Sequence, residues 1–304
     1  MRRAVVALIV LIAVSTSSAT GFAQGTASIV DGAGMVDYSR EPNFQVGSWV
    51  KYHVLGSSLK GHQDDYTVTV LIAGEENFWG DPSFWVETWT EKKGRPARFT
   101  ASLMSYSAFG DTMASQQIMW FLRKTIDSID EHGKPEQAIA RRESGELKLR
   151  AVNWQKDRET NVGHFDTLGT DTTIAPTGTF KTLRVKETKG RAETVDTGDS
   201  TTFYQRVEEQ IFHYSREVPI TSLVRTDIDH LQRGKSWMIG QFNKDSPRIL
   251  ERAQGRSVLV GFGTELEPKI VPVEFRRSLG LQNASRRPAG PKPSGTNGST
   301  RKPG

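Results

Sequence analysis

The chain has 304 residues, of which 40 are basic and 35 acidic, and it contains no cysteine. The lack of cysteine excludes disulfides, thiolate catalysis, cysteine-ligated metals and a lipid-modified N-terminal cysteine. The formal net charge of +5 comes from the two ends, because residues 24–275 hold 31 basic and 35 acidic residues. A nucleic-acid-binding surface on the folded part is therefore not expected.

The chain begins with the features of a secretory signal peptide. Two arginines precede an apolar run of 11 residues, and small residues stand on either side of Phe22 in the pattern of a signal-peptidase site. Such a run is too short to cross a bilayer, which takes about 20 apolar residues. We interpret residues 1–23 as a signal peptide and residues 24–44 as a flexible leader. The mature protein is expected to be periplasmic or secreted.

A series of β-strands is predicted directly after this leader. Apolar and polar residues alternate in four segments bounded by Gly, Pro, Asp or Asn, as antiparallel strands require. The segments are residues 48–56, 65–74, 83–94 and 97–106. In the third segment Trp85 and Trp89 share one face of the strand. Phe84 and Val86 share the other, so both faces are expected to be covered.

One helix is predicted after these strands, over residues 111–130. Leu122 and Ile126 follow helical spacing within it, and glycine and proline just beyond it would end the helix. Trp120 and Phe121 widen the apolar stripe beyond one normal helix face. We therefore expect this helix to be packed against the sheet.

The second half of the chain returns to strand patterns. The predicted strands are residues 146–152, 179–190, 202–215, 236–242 and 257–263. Within residues 211–228 the alternation is interrupted at Val218-Pro219. That interruption indicates either two strands or one strand that joins a sheet at its edge.

Together these patterns predict a mainly β protein: an antiparallel curved sheet or half-barrel with one principal apolar helix packed over a face. A single domain is expected over residues 45–275. Residues 276–304 are rich in Gly, Pro, Ser and Arg, with seven basic residues and no acidic one, and are predicted to form a disordered basic tail. The tail could contact an anionic surface or serve only as a solubilising end.

The chain resembles the periplasmic lipoprotein-carrier (LolA-like) class. The similarity lies in Gly47, Trp49, Val50 and Tyr52 of the first strand, in the order of strands and helix, and in the Val-Pro-Ile sequence around Pro219. Proteins of that class are curved, incomplete barrels that hold acyl chains, with helices as a lid or plug over the concave face. The resemblance implies a hydrophobic ligand, such as a lipid or the acyl chains of a lipoprotein.

Large aromatic side chains are the candidate ligand-binding residues. They are Trp49, Tyr52, Trp85, Trp89, Trp120 and Phe121. These side chains could line a cavity between sheet and helix, or they could be core residues beneath the helix.

Catalytic and metal chemistry find little support in the sequence. His164 and Asp166 would share a strand face, but zinc would need a third protein ligand from elsewhere. The sequence contains no Gly-x-Ser-x-Gly elbow and no glycine-rich phosphate loop. We therefore predict no catalytic residue, no metal and no cofactor, and we favour a function other than catalysis.

The leading hypothesis is an exported, non-catalytic binding protein for a hydrophobic ligand. Its partners would be a lipid or another hydrophobic small molecule, together with a possible envelope protein. Two alternatives stay open: an envelope interaction or structural module with a filled core, and a hydrolase whose site the sequence does not reveal.

Overall fold

The computed structural model describes residues 31–59, 61, 63–111, 118–128, 164–197, 199–238 and 246–283. These residues form one antiparallel sheet of ten strands, in the order β5-β4-β3-β2-β1-β10-β9-β8-β7-β6. The strands are β1 Trp49–Ser58, β2 Gln63–Phe78, β3 Asp81–Lys92, β4 Arg98–Ser105, β5 Leu122–Ser128, β6 His164–Ala175, β7 Gly178–Thr197, β8 Ser200–Tyr214, β9 Leu223–Met238 and β10 Arg248–Gly263. A single helical turn, α1 (Asp31–Gly34), precedes them. Within the described residues, no helix is long and apolar enough to cross a membrane.

The sheet is curved and remains open. Strand β6 lies at one edge, yet it comes close to β9 and β10, which stand three and four places away in the sheet. Register shifts interrupt six of the nine strand pairs, and such irregularities bend a strand and increase its twist. The prediction of a mainly β protein with a curved antiparallel sheet is confirmed.

One face of the sheet, here called the first face, carries most of the larger hydrophobic core. On β1 to β3 its buried residues are Val50, Tyr52, Val70, Ile72, Phe84 and Val86. Residues 31–44, expected to be a flexible leader, pack onto this core instead. Tyr38 and Phe44 are buried, and the Phe44 ring lies 5.3 Å from the ring of Phe84 between centroids. Aromatic and apolar side chains therefore tie this segment to the sheet.

The connection between β8 and β9 is held against residues 31–44. Strand β8 ends at Tyr214 and β9 begins at Leu223, so the first of the two alternatives, two strands separated around Pro219, is the one the structure shows. Between them Ile220 has a φ of 63°, a conformation that β-branched residues rarely adopt. The side chain of Asn43 donates to the carbonyl of Val218 and accepts from the amide of Ile220, both at 3.1 Å. These hydrogen bonds fix the connection in its unusual conformation.

The opposite, second face is covered by the C-terminal strap, residues 264–283. Trp85, Trp89 and Leu103 of the sheet pack with Ile270 and Val271 of the strap. Residues 276–283 of the strap had been expected to belong to a disordered tail, whereas residues 284–304 lie outside the described residues. The chain thus uses both of its ends to cover the β1–β4 half of the sheet.

A buried carboxylate anchors the strap. Glu87 is fully buried and accepts hydrogen bonds from the backbone amides of Lys269, Ile270 and Val271 at 2.6, 3.1 and 3.2 Å. Burial raises the pKa of Glu87, and the three hydrogen bonds offset part of that shift. One side chain therefore satisfies three consecutive backbone donors of the strap.

The predicted helix over residues 111–130 is wrong where the structure describes it. Leu122–Ser128 forms β5, paired antiparallel with β4. A register shift next to Arg123 lets Leu122 join the first-face core while Ile126 joins the second-face core. Because their separation of four residues is also that of one helix face, the sequence pattern predicted a helix. Residues 112–117 and 129–130, and the predicted strand at 146–152, lie outside the described residues.

Gly74 should be required where the strap crosses the sheet. A Cβ atom at Gly74 would lie 1.8 Å from the carbonyl oxygen of Phe275, so Gly74→Ala must displace the strap. We expect the free energy of unfolding to fall by roughly 1–3 kcal/mol, as measured by urea denaturation. Gly190→Ala is the control, because no atom lies within 4 Å of its Cβ position. Equal losses in the two variants would contradict the packing of the strap.

Candidate ligand-binding site

The sequence-predicted aromatic residues lie on both faces of the sheet. Tyr52 and Phe121 belong to the first-face core. Trp85 and Trp89 lie beneath the strap on the second face, and Trp49 packs against them. The sixth, Trp120, is 37% exposed. Because a continuous sheet separates the two groups, these six residues cannot line a single cavity.

Several of these aromatic residues are held by structural contacts. The Tyr52 hydroxyl lies 2.5 Å from the Thr221 hydroxyl and donates to the carbonyl of Leu223 at 2.8 Å. Burial raises the pKa of Tyr52. The Trp49 ring lies over Gly261 and Gly263, where a Cβ atom would approach it to 2.9 Å. These contacts are sufficient to explain why large rings are held in place at these positions. No ligand is needed to account for them.

Beyond Tyr52, the first face continues across β1, β10, β9 and β8 as two rows of paired residues, here called the trough. Its inner row is Val54, Ser257, Thr226 and Phe212, and its outer row is Gly56, Gly255, Ile228 and Gln210. Along β1 the trough positions are partly buried, whereas Leu55, Ser57 and Leu59 on the second face are exposed. The trough is therefore the sheltered side of this half of the sheet.

Two facing glycines leave a gap in the floor of the trough. Gly56 of β1 pairs directly with Gly255 of β10, so neither strand supplies a side chain there. A Cβ atom at Gly56 would lie 3.4 Å from the Cβ of Asp64, and one at Gly255 would lie 3.9 Å from the Cβ of Ile228. Both are ordinary contacts, so packing does not demand glycine at either place. We call this gap the notch.

Three buried polar atoms lie on the same face, two of them next to the notch and one beyond Ile228 on β8. The Thr226 and Ser257 side chains face each other across β9 and β10, and Gln210 lies one row further out. These residues are 0%, 5% and 2% exposed. Thr226 Oγ1, Ser257 Oγ and Gln210 Oε1 have no hydrogen-bond partner among the described residues. Native proteins rarely leave such atoms unsatisfied, so each of them requires an explanation.

A charged group lies on the same face, further out along β7, β8 and β9. Lys189 Nζ lies 3.0 Å from Glu187 Oε2 and 3.9 Å from Glu208 Oε1. Gln210 donates to Glu208 at 2.6 Å, and His230 Nδ1 lies 3.8 Å from that carboxylate. Burial raises the pKa of Glu187, against the opposing effect of Lys189. Burial also acts to raise the pKa of Glu208, but the proximity of His230, the hydrogen bond from Gln210 and the charge of Lys189 outweigh it, and the pKa is lowered.

The histidines considered for metal or acid–base chemistry do not form a reactive cluster. His164 Nε2 lies 3.1 Å from Asp166 Oδ1, with both side chains exposed. No third ligating group joins them, and the described part of the chain holds no set of three His, Asp or Glu placed to bind a metal ion. His213 Nδ1 lies 2.8 Å from the Thr173 hydroxyl, and its Nε2 lies 3.6 Å from Asp227. His213 of β8 therefore links β6 to β9.

Sequence reasoning did not find the trough or the notch. Alternation alone places Val54 and Gly56 on the face of Tyr52, so part of the signal was present. The pairing of Gly56 with Gly255 joins residues from opposite ends of the domain, and local patterns do not reveal it. Unpartnered hydroxyls are likewise visible only once three strands are aligned.

No family model matches this sequence, and no curated protein matches it either. Solved structures similar to the chain include a candidate lipoprotein from Parabacteroides distasonis, with 11% identity, a TM-score of 0.32, and coverage of 75% of this chain and 99% of that one. A candidate exported protein with a YmcC-like fold from Bacteroides fragilis has 10% identity, a TM-score of 0.20, and coverage of 75% and 100%.

A LolA superfamily protein from Nitrosomonas europaea is also similar, with 12% identity, a TM-score of 0.22, and coverage of 80% of this chain and 94% of that one. The class that the sequence resembles is thus represented among these structures. Such low identities and TM-scores carry no functional argument.

The placement of the tryptophans predicts losses of stability of different size. Trp85 is 1% exposed beneath the strap, so Trp85→Ala should lower the free energy of unfolding by about 3–5 kcal/mol. Trp120 is 37% exposed, so Trp120→Ala should cost no more than about 1 kcal/mol. Urea denaturation of both variants measures the difference. A large loss at Trp120 together with a small loss at Trp85 would contradict this placement.

The burial of Glu187 predicts that its contribution to the stability of the fold decreases as the pH rises. Its raised pKa means that the folded state holds the proton more tightly than the unfolded state. The contribution of Glu187 to stability should therefore decrease as pH rises from the ordinary glutamate range through the raised pKa. Unfolding free energies of the natural protein and of Glu187→Gln, compared from about pH 4 to about pH 8, isolate this contribution. A difference that does not change with pH would contradict it.

Proposed function

We propose that this chain is an exported, non-catalytic binding protein whose first-face trough holds a lipid-class ligand. The observation that carries the proposal is the sheltered trough floored by Gly56 and Gly255, where the sheet supplies no side chain although packing would allow one. Backbone exposed in this way gives close approach to a ligand. Export is inferred from the N-terminal sequence, which lies outside the described residues.

The walls of the trough suit an amphiphile. Val54, Val68 and Ile228 offer partly buried apolar surface on the first face. Each methylene group removed from water there would contribute about 0.8 kcal/mol. The charged group around Glu208 and Lys189 lies at the outer end of the same face. An acyl chain would therefore lie along the inner part, and polar groups of the ligand would lie further out.

Among the sequence-predicted aromatic residues, Tyr52 is the one that borders the trough. It occupies the row next to Val54 and closes the inner end of the trough. Trp85 and Trp89 act through the stability of the second face, and the exposed Trp120 is available for a contact outside the trough.

A second candidate is an envelope interaction module with a filled core. It is favoured by the β1–β4 half of the sheet, where residues 31–44 cover the first face and the C-terminal strap covers the second. In that case the trough would be a packing irregularity, and a protein partner would bind an outer surface.

Blocking the trough should remove the ligand. Ile228→Trp places a large side chain beside the notch, whereas Leu231→Trp on the same strand enlarges the second face. We expect native mass spectrometry of protein purified from a bacterial periplasm to show bound lipid in the natural protein and in Leu231→Trp, and little in Ile228→Trp.

Lipid extraction would then identify the bound class. A bare mass for the natural protein, with no uptake of added oleate or phosphatidylglycerol, would overturn the carrier function and favour the interaction module. Equal lipid content in the two tryptophan variants would show that the ligand lies outside the trough.

A further inference from the structure

The hairpin between β2 and β3 carries a tryptophan where the backbone favours a different residue. Phe78 pairs with Asp81, so Trp79 and Gly80 form a two-residue turn, with φ values of 50° and 89°. Turns with two positive φ values favour Asn-Gly or Gly-Gly, and a bulky residue in this conformation is unusual. The Trp79 side chain is 79% exposed, although it stacks on Phe78 at 4.7 Å between centroids. Burial therefore does not account for a tryptophan at this place.

A second exposed indole lies beside this turn. Arg123 of β5 donates to Asp81, the residue after the turn, at 2.7 Å and to the carbonyl of Trp120 at 2.8 Å. One guanidinium thus links the start of β3 to Trp120, which is 37% exposed. The two tryptophans therefore stand at the same end of the sheet.

The C-terminal strap reaches this end as well. Lys124 Nζ lies 5.1 Å from the centroid of the Phe78 ring and 5.3 Å from that of Phe275 in the strap. On either side of Phe275 the strap exposes aliphatic side chains, 74% of Val273 and 42% of Leu279. Exposed apolar groups gathered in one region mark a surface for interaction. We call this surface the tip; its residues are Trp79, Trp120, Val273 and Leu279.

Positive charge adjoins the tip. Arg123 and Lys124 are already paired with acids of β3 and β2, but residues 273–283 of the strap hold two arginines and one glutamate, and Arg277 is exposed. The chain continues from there into residues 284–304, which hold five basic residues and no acidic one. Glycine, proline and serine separate these cations, a spacing that suits a surface of many negative charges better than one shaped protein site.

We propose that the tip docks on the surface of an anionic phospholipid bilayer. Tryptophan favours the layer between head groups and acyl chains, where its ring is in apolar surroundings and its N–H stays near water. Trp79 and Trp120 would enter that layer, and Arg277 with the basic residues of 284–304 would lie against the phosphates. This surface is separate from the trough, so the proposal goes beyond the proposed function and does not depend on it.

Vesicle flotation tests the docking, with vesicles of phosphatidylcholine alone and of an equimolar mixture with phosphatidylglycerol. We expect the natural protein to bind the mixed vesicles, and to bind them less at high salt. Trp79→Asn should bind about tenfold more weakly, because it removes the indole that enters the interface. Its thermal stability should be equal or higher, since Asn-Gly suits the turn.

Two further variants control for apolar exposure and for charge. Leu59→Asn removes a 67% exposed side chain from the connection between β1 and β2, at the other end of β2, and should leave vesicle binding unchanged. Arg277→Gln should weaken binding about fivefold on the mixed vesicles, the effect of one basic residue near an anionic surface, and leave phosphatidylcholine binding unchanged.

The trough variant Ile228→Trp separates docking from binding of a lipid in the trough, and it should float as the natural protein does. Loss of flotation in Ile228→Trp but not in Trp79→Asn would place the lipid contact in the trough and overturn the docking. A Trp79→Asn variant that is less stable yet floats normally would also overturn it, because the indole would then serve the fold. Equal binding to both kinds of vesicle would refute an anionic partner. If the natural protein floats with neither kind, the membrane is excluded and the tip is left to a protein partner.

Discussion

The whole architecture depends on one hydrogen-bonded ladder, the pairing of β1 with β10. In the sheet order, β1 to β5 extend from this ladder in one direction and β10 to β6 in the other. Among the described strands, no other ladder joins the two halves of the chain. Trp49 lies across it on Gly261 and Gly263, where any larger residue would meet its ring. The trough and its notch lie on the same ladder, so the candidate site exists only because the two halves meet there.

The two halves of the sheet are covered in different ways. Over β1 to β4, apolar residues of the N-terminal segment and of the strap fill both faces, and buried Glu87 secures the strap through three amides. Over β7 to β9 the first face carries hydroxyl, amide and charged side chains, with an ion pair between Glu187 and Lys189. One half therefore has the composition of a protein interior, and the other has the mixed composition of a binding surface.

Much of the fold could be predicted from the sequence, because strand alternation and breakers are local signals. The break at Pro219 and most strands were found in this way. The helix over residues 111–130 was not, because Leu122 and Ile126 stand four positions apart, as on one helix face, whereas the register shift at Arg123 places them on opposite faces of the sheet. The packing of residues 31–44 was missed because only a few apolar side chains in this segment, Tyr38 and Phe44 among them, pack onto the core. The notch requires the pairing of Gly56 with Gly255, which local patterns do not reveal.

The clamp of Asn43 on the β8–β9 connection has a consequence for the order in which the protein folds. The N-terminal segment needs Val218 and Ile220 as partners, and the Tyr52 hydroxyl needs Thr221 and Leu223. A chain that ends before residue 215 would therefore leave its first-face core open and polar groups of its earliest residues without partners. Closure must wait until nearly the whole domain is present, as expected for a topology dominated by distant contacts, and such topologies fold slowly. Residues 31–44, although synthesised early, are thus among the last of the described residues to reach their final structure.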